Sequence, residues 1–522
     1  MMRRLLLAAA LAAAPLAASV PAMAQDAPQR GGTFTIALNA DIRSLEPGIN
    51  RDGNTDTVVH TIFEGLVAYR ADLTVGPALA ESWTVSDDGR TWRFTLREGV
   101  RFHNGQPLTA QALKWTWDRQ WSNERWGCKR FFDGRTGLKV EAMEAPDART
   151  VVYRLAGPSG LFLKQLANVQ CGIVAAHPDS ADAEGKWKAP IGTGPLKLAD
   201  WRRGEFVALD RFDGYVASDA PASAYAGRRT MYFDRVVFRV VPDASSAEAG
   251  LATGDIDLLP EVEAHRVAAL KQRGVTVLSS PGLSWAVLLM QIRDPLLSDV
   301  RIRRAIAHAL DLDQIADARG EGLVKPHPSP VDAGSVYFDD RFRAWPAYDP
   351  AKAQALLEAA GYKGQPIRIQ TNKRSSANYD NAVVIQAMLA AAGFTVELEV
   401  LDWATQLDNY IKGNFQLQSF GYSARFDPGL RFASLIADKD KSKWAQWDDP
   451  KAIALLQEST RTTDEVRRKA IFAELHAMLA DQVPTIGLYY DPGVEAVGPS
   501  VRGYRTWPAS RPIPWGVWKA RP

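Results

Sequence analysis

The sequence predicts a mixed α/β fold, and two observations carry that reading. Short segments with alternating apolar and polar residues are interleaved with segments whose apolar residues recur every three or four positions. From about Gln365 onward the two kinds alternate strictly, the mark of parallel strands joined by right-handed helical crossovers. The chain has 522 residues, 46% of them hydrophobic, enough for two or three domains with sizeable cores.

The first element is not part of that fold. "MMRRLLLAAALAAAPLAASVPAMAQ" begins with Arg3 and Arg4, continues as a Leu/Ala-rich run, and ends with small residues at Ala22 and Ala24. Residues 1–24 therefore read as a secretory signal peptide, cleaved after Ala24. The alternative, a membrane anchor, fits poorly with Pro15 and Pro21 inside the apolar run. The arginine pair does not complete a twin-arginine motif, and no cysteine follows the cleavage point to carry a lipid. No later apolar run reaches spanning length, so an exported, soluble, globular chain is expected.

Removing Arg3 and Arg4 takes the 62 Lys+Arg to 60, against 60 Asp+Glu. A neutral mature chain implies no polyanionic partner, so nucleic acid is not expected. The two cysteines, Cys128 and Cys171, are expected to form one disulfide in an oxidising compartment, with two buried thiols as the alternative.

Along the mature chain, "TWRFTLR" sets Trp92, Phe94 and Leu96 on one face and Arg93, Thr95 and Arg97 on the other, a half-buried strand. "TMYFDRVVFRVV" and "FTVELEV" read as strands too. In "SDVRIRRAIAHALD", Ser298 is placed to cap a helix whose Ile302, Ala305, Ile306, Ala309 and Leu310 share a face. "YDPAKAQALLEAAGY" has Asp349 and Pro350 for cap and first turn and stops at Gly361. Thr462 lies three residues before Glu465, the spacing of a capping box. Then "PIRIQT", "NAVVIQAMLAAAG", "FTVELEV" and "ATQLDNYIKG" give strand, helix, strand, helix. Ligands of such units bind past the carboxyl ends of the strands. "FQLQSFGYSARFDP" puts Arg425 there.

Chemistry of other kinds is missing its motifs. There is no G-x-S-x-G elbow, no H-E-x-x-H and no C-x-x-C, and the seven histidines are scattered. "PIGTGPLKL" lacks the G-K-[ST] ending of a phosphate loop. Paired acids such as Asp87-Asp88 and Asp448-Asp449 read as solvated turns. None of these motifs announces a metal, a cofactor or a catalytic residue, and a secreted hydrolase stands as the alternative from another class.

Four stretches, "ALAESWTVSDDGRTWRFTLREGVRFHNGQPLTA" (78–110), "PIGTGPLKL" (190–198), "DVRIRRAIAHALD" (299–311) and "YDPAKAQALLEAAGY" (348–362), together resemble the extracellular solute-binding protein family 5. This is the group of dipeptide- and oligopeptide-binding proteins of ABC importers. The resemblance implies a bilobed periplasmic-binding-protein-like fold, type II, cluster C, with an extra domain inserted in lobe I. The implied division is 25–75, 190–282 and 487–522 for the lobe I sheet domain, 76–189 for the insert with both cysteines, and 283–486 for lobe II. The chain would cross between lobes near "SSPGLSW" and "IGLYY", which act as hinges for closure around a ligand. The implied function is a periplasmic monomer that captures a small solute and delivers it to a membrane permease and its ATPase subunits.

Peptide-binding members usually carry, in the stretch matching "GYSARFDP", an aspartate that pairs with the peptide amino group. Here Arg425 holds the nearest position and Asp427 is shifted. That inverts the charge offered, disfavours a free amino group and favours a carboxylate or phosphate in a bidentate pair. The alternatives are a peptide held by its carboxylate, or an Arg425 that simply latches to Asp427 or to an acid of lobe I. Trp403, Tyr422 and Phe426 are candidate apolar walls, with Trp285, just after the first crossing, as a further ligand-binding candidate; for Trp403 and Tyr422 the alternative is a core role in lobe II. Asn39 and Asp41 are the candidates from lobe I, and Lys373 and Arg374 are a second possible anion contact or solvated loop charges.

Overall fold

The computed structural model describes residues 27–520 except 136, 321, 374 and 375. The expected signal peptide and Arg374 lie outside the described residues. Among the described residues no helix is long and apolar enough to cross a membrane.

A ten-stranded sheet runs through the molecule. Its order is Val396–Leu401, Ile367–Asn372, Leu417–Tyr422, Thr276–Met290, Thr485–Val497, Leu258–Leu259, Thr33–Leu38, Arg235–Val240, Phe206–Arg211 and Leu196–Arg202. The two central strands are the longest, at 15 and 13 residues, and they pair antiparallel along most of their length. They cross between the two lobes. Strands on one side of them belong to the first lobe, and those on the other side to the second.

Sequence alternation explains why this sheet is covered on both faces. In the crossing strand Thr276–Met290, Trp285, Val287 and Leu289 enter one apolar cluster, while Ala286, Leu288 and Met290 enter another on the opposite face. Each successive side chain must point to the other face, and all six are apolar, so helices pack on both. One face takes the helices Val300–Ala309, Pro350–Ala360 and Ser376–Ala391; the other takes Pro450–Arg461 and Glu465–Gln482. In the second lobe, Ile367–Asn372 pairs parallel with both Val396–Leu401 and Leu417–Tyr422, in agreement with the strand-helix-strand reading.

The stretch Ala80–Leu155 contributes a separate antiparallel sheet of four strands. Its strand Thr91–Leu96 buries Trp92, Phe94 and Leu96 and exposes Arg93. It shares one continuous core with the first lobe, which also draws in Trp507 and Trp515 from the chain's end.

Helix ends correct two expectations by one or two residues. Asp299, not Ser298, caps Val300–Ala309, and Asp464, not Thr462, caps Glu465–Gln482 by accepting from the amides of Val466 and Arg467. Aspartate outcompetes the neighbouring hydroxyls because its charge also favours the helix dipole. Asp349 caps Pro350–Ala360, and Gly361 ends it at φ 73°.

Cys128 and Cys171 are joined by a disulfide with Cα atoms 5.6 Å apart, closing a loop of 43 residues. The chain-entropy relation gives such a loop about 4 kcal/mol. The double variant Cys128→Ser, Cys171→Ser is expected to lose about 2–4 kcal/mol of stability in urea unfolding. A loss below about 1 kcal/mol would show that the unfolded chain is not constrained by the bond.

Candidate functional site

Three parallel strands of the second lobe end together at Asn372, Leu401 and Tyr422. The segments that follow them carry Lys373, Trp403 and Arg425. This is the end of the sheet where α/β units place ligands.

The floor of this region is polar and buried. Asn372 Nδ2 donates to Gln406 Oε1 at 2.7 Å, Gln406 Nε2 donates to the Ser419 carbonyl at 3.0 Å, and Gln418 Nε2 donates to Gln370 Oε1 at 2.8 Å. These amides tie the helix Trp403–Lys412 onto the strands Ile367–Asn372 and Leu417–Tyr422. That helix starts at Asp402, which accepts from the Thr405 amide, and ends at Gly413 at φ 74°. It holds Tyr410 against Phe420, with ring centroids 4.9 Å apart, and Trp403 against the same ring at 5.6 Å. Tyr410 and Tyr422 bring their hydroxyls within 3.4 Å of each other, and Tyr422 donates to the Ser434 carbonyl.

Arg425 sits beside this aromatic group, half-buried. Its Nη1 donates to the Ala424 carbonyl at 2.9 Å and weakly to Ser423 at 3.4 Å. Among the described residues no carboxylate lies within ion-pairing distance of it. Burial, then the charges of Arg431 and Arg130, push its guanidinium down to about 10. A cation held among cations with only carbonyl partners is under-compensated.

The neighbouring acid is occupied elsewhere, so the internal-latch alternative fails for Arg425 with Asp427. Asp427 is 1% exposed and caps the helix Pro428–Phe432. It accepts from Arg468 at 2.7 and 3.0 Å, and Lys164 of the first lobe shares its Oδ2 at 2.8 Å. Burial alone would raise its carboxyl; the Arg468 and Lys164 charges outweigh that and hold it well below the usual carboxylate range.

The other candidates divide. Trp285 has no exposed surface: it stacks between Tyr422 and Tyr490 and donates Nε1–H to the His327 carbonyl. It supports Tyr422 from behind, which corrects its reading as a ligand-binding residue. Phe426 is 8% exposed and stacks on Tyr69 of the first lobe at 4.9 Å, a contact between lobes. Asp41 is used in a turn, accepting from Ile42, Gly204 and the Trp201 indole. Asn39 is exposed, donating to Glu261 and accepting from Asn54. Lys373 lies over the Tyr379 ring at 4.7 Å.

Sequence reasoning missed Tyr410, Arg431 and Lys164. Arg431 is fully buried under Trp285, donating to the carbonyls of Ser423 and Leu283, so it fixes the loop that carries Arg425. The signal for it was present: "GLRF" places an arginine on the same short helix that Asp427 caps.

The comparisons agree with this architecture. Residues 74–444 match the family described as bacterial extracellular solute-binding proteins, family 5, middle region. The dipeptide-binding protein of Escherichia coli K12 is 27% identical, the match covering 94% of this chain and 95% of that one. A glutathione-binding protein of Pectobacterium atrosepticum is also 27% identical, covering 97% and 96%. Among solved structures, the periplasmic binding protein DppA of Helicobacter pylori in complex with the peptide STSA has a TM-score of 0.74 at 26% identity, covering 94% and 99%. The chain thus belongs to the bacterial extracellular solute-binding proteins of family 5, with their bilobed α/β fold.

Proposed function

We propose that this protein is the periplasmic substrate-binding component of an ABC importer and that it captures a small organic anion between its lobes. The lobe division given above, with Arg425, Trp403 and Tyr422 as solute-facing residues, goes with this reading. It acts by binding and not by catalysis, and hands its solute to a membrane permease with ATPase subunits. The observation that carries the anion is Arg425, a half-buried cation that among the described residues has two carbonyl partners and no acid. A carboxylate entering beside it supplies the missing counter-charge and a bidentate partner.

A second reading, a short peptide held by its carboxylate, is supported by relatives named for dipeptides and glutathione. Both readings share Arg425.

The test is a thermal-shift screen of the solute-stripped protein against matched compounds with a carboxylate and with the corresponding amide, short peptides included. A ligand at a hundred times its Kd adds about 2.7 kcal/mol of stability. Arg425→Ala is expected to weaken binding of the carboxylate by about 2–5 kcal/mol. The empty variant keeps or gains stability, because an under-compensated charge has been removed. Equal stabilisation by carboxylates and amides, or an unchanged response in Arg425→Ala, would overturn the anion anchor.

A further inference from the structure

The two lobes meet through a set of polar contacts that require no solute. Lys164 lies in the short helix Phe162–Leu166 of the first lobe. Its Nζ donates to Tyr337 Oη at 2.6 Å, pairs with Asp427 at 2.8 Å and lies 3.5 Å from Glu465, all three in the second lobe. It also stands 4.8 Å from the centre of the Tyr337 ring. The first lobe holds Lys164 in place, since Tyr69 donates its hydroxyl to the Lys164 carbonyl at 2.9 Å. Next to it, the Gly160 amide donates to the Thr460 carbonyl at 2.9 Å, and a Cβ at Gly160 would lie 2.2 Å from the Thr462 carbonyl oxygen. The Tyr69–Phe426 stack completes the contact.

From this geometry we infer that Lys164 is a positioning residue for closure, joining the lobes in the absence of solute so that the empty protein populates the closed form. The second-lobe partners are complete without it. Asp427 is satisfied by Arg468, Arg468 Nη1 donates to Tyr337, and Tyr337 donates to Glu465. Lys164 therefore adds an interaction that exists only when the lobes meet, which is the condition for a group to shift a conformational equilibrium. Its near-complete burial, with side-chain exposure of 11%, strengthens that charge-assisted contact relative to one in water. Because the acids keep their own partners, losing Lys164 leaves no unpaired charge inside the second lobe. Its effect is separable from folding.

The inference is tested on the solute-stripped mature chain by small-angle X-ray scattering, comparing wild type with Lys164→Met. The wild type is expected to contain a measurable closed population with the compact profile of this structure. In Lys164→Met the closed-to-open ratio falls by about tenfold or more, the range for losing a charge-assisted hydrogen bond, and the radius of gyration rises. Lys164→Arg restores compaction in part. Tyr337→Phe, which removes only the hydroxyl and lies wholly within the second lobe, shifts the profile in the same direction and serves if the methionine variant does not fold. A fully open wild type, or the same profile for wild type and both variants, would overturn the inference. The readout involves no ligand, so it stands or falls separately from the anion reading.

Discussion

Asp427→Ala is expected to lower the unfolding free energy by about 3–5 kcal/mol, the range for stripping one partner from a buried ion pair. Arg468 has no exposed surface and donates two charge-assisted hydrogen bonds to this one carboxylate. Without it, a guanidinium remains in the core with the Ser459 carbonyl and the Tyr337 hydroxyl as its neutral partners, beside the more distant Glu465. The same carboxylate caps Pro428–Phe432 through the Gly429 amide at 2.8 Å, worth about 1 kcal/mol more. Asp427→Asn separates the two effects, because its amide oxygen still caps while the charge is gone. Urea unfolding is the measurement, and Asp427→Asn within about 1 kcal/mol of wild type would refute the account. The pH dependence carries the same sign. The folded carboxyl is held below its unfolded value near 3.9, so its contribution is complete above that pH and fades as pH falls below it. The acid limb of the stability curve is accordingly shallower in Asp427→Asn.

Much of the fold was legible because local rules and global packing agree in this chain. The parallel unit after Gln365 followed from alternating periods, and the Asp349 cap with its Gly361 stop followed from turn chemistry. The caps that shifted, Asp299 and Asp464, sit one or two positions from hydroxyls that satisfy the same motif, and sequence alone does not rank such neighbours. Trp285 could have been placed correctly. It opens the run "WAVLLM", apolar at every position, which is the pattern of a strand buried on both faces and leaves no face for a cleft.

The site was legible as a position and not as a circuit. Arg425 stood out because a permanent charge among aromatics past a strand end needs a partner. Which acid is already taken depends on residues far apart in the chain, Lys164, Asp427 and Arg468, and no periodicity links them. The amide floor of Gln370, Asn372, Gln406 and Gln418 was equally hidden. Glutamines in a strand or helix read as surface until tertiary contacts show each one paired.

Gly282→Ala is expected to be the second large loss, about 3 kcal/mol or more, at the top of the overpacking range or beyond it. The two crossing strands each carry a Pro-Gly pair, Pro281-Gly282 and Pro492-Gly493, at the level where their register breaks between Ser280 and Ser284. Proline donates no amide hydrogen, so the ladder is interrupted there on both strands. A Cβ on Gly282 would lie 1.5 Å from the Asp491 carbonyl oxygen, a backbone atom that moves only if the strands part. The opposite glycine provides the control. A Cβ on Gly493 would meet Ser510 Oγ at 2.2 Å and Ser280 Oγ at 3.1 Å, hydroxyls that rotate away, so Gly493→Ala is expected to lose less. Equal midpoints for the two variants would refute the backbone-contact argument. If Gly282→Ala alone is destabilised, the crossing is held at this level by main chain against main chain, because the Asp491 carbonyl cannot turn away from an added Cβ as a hydroxyl can.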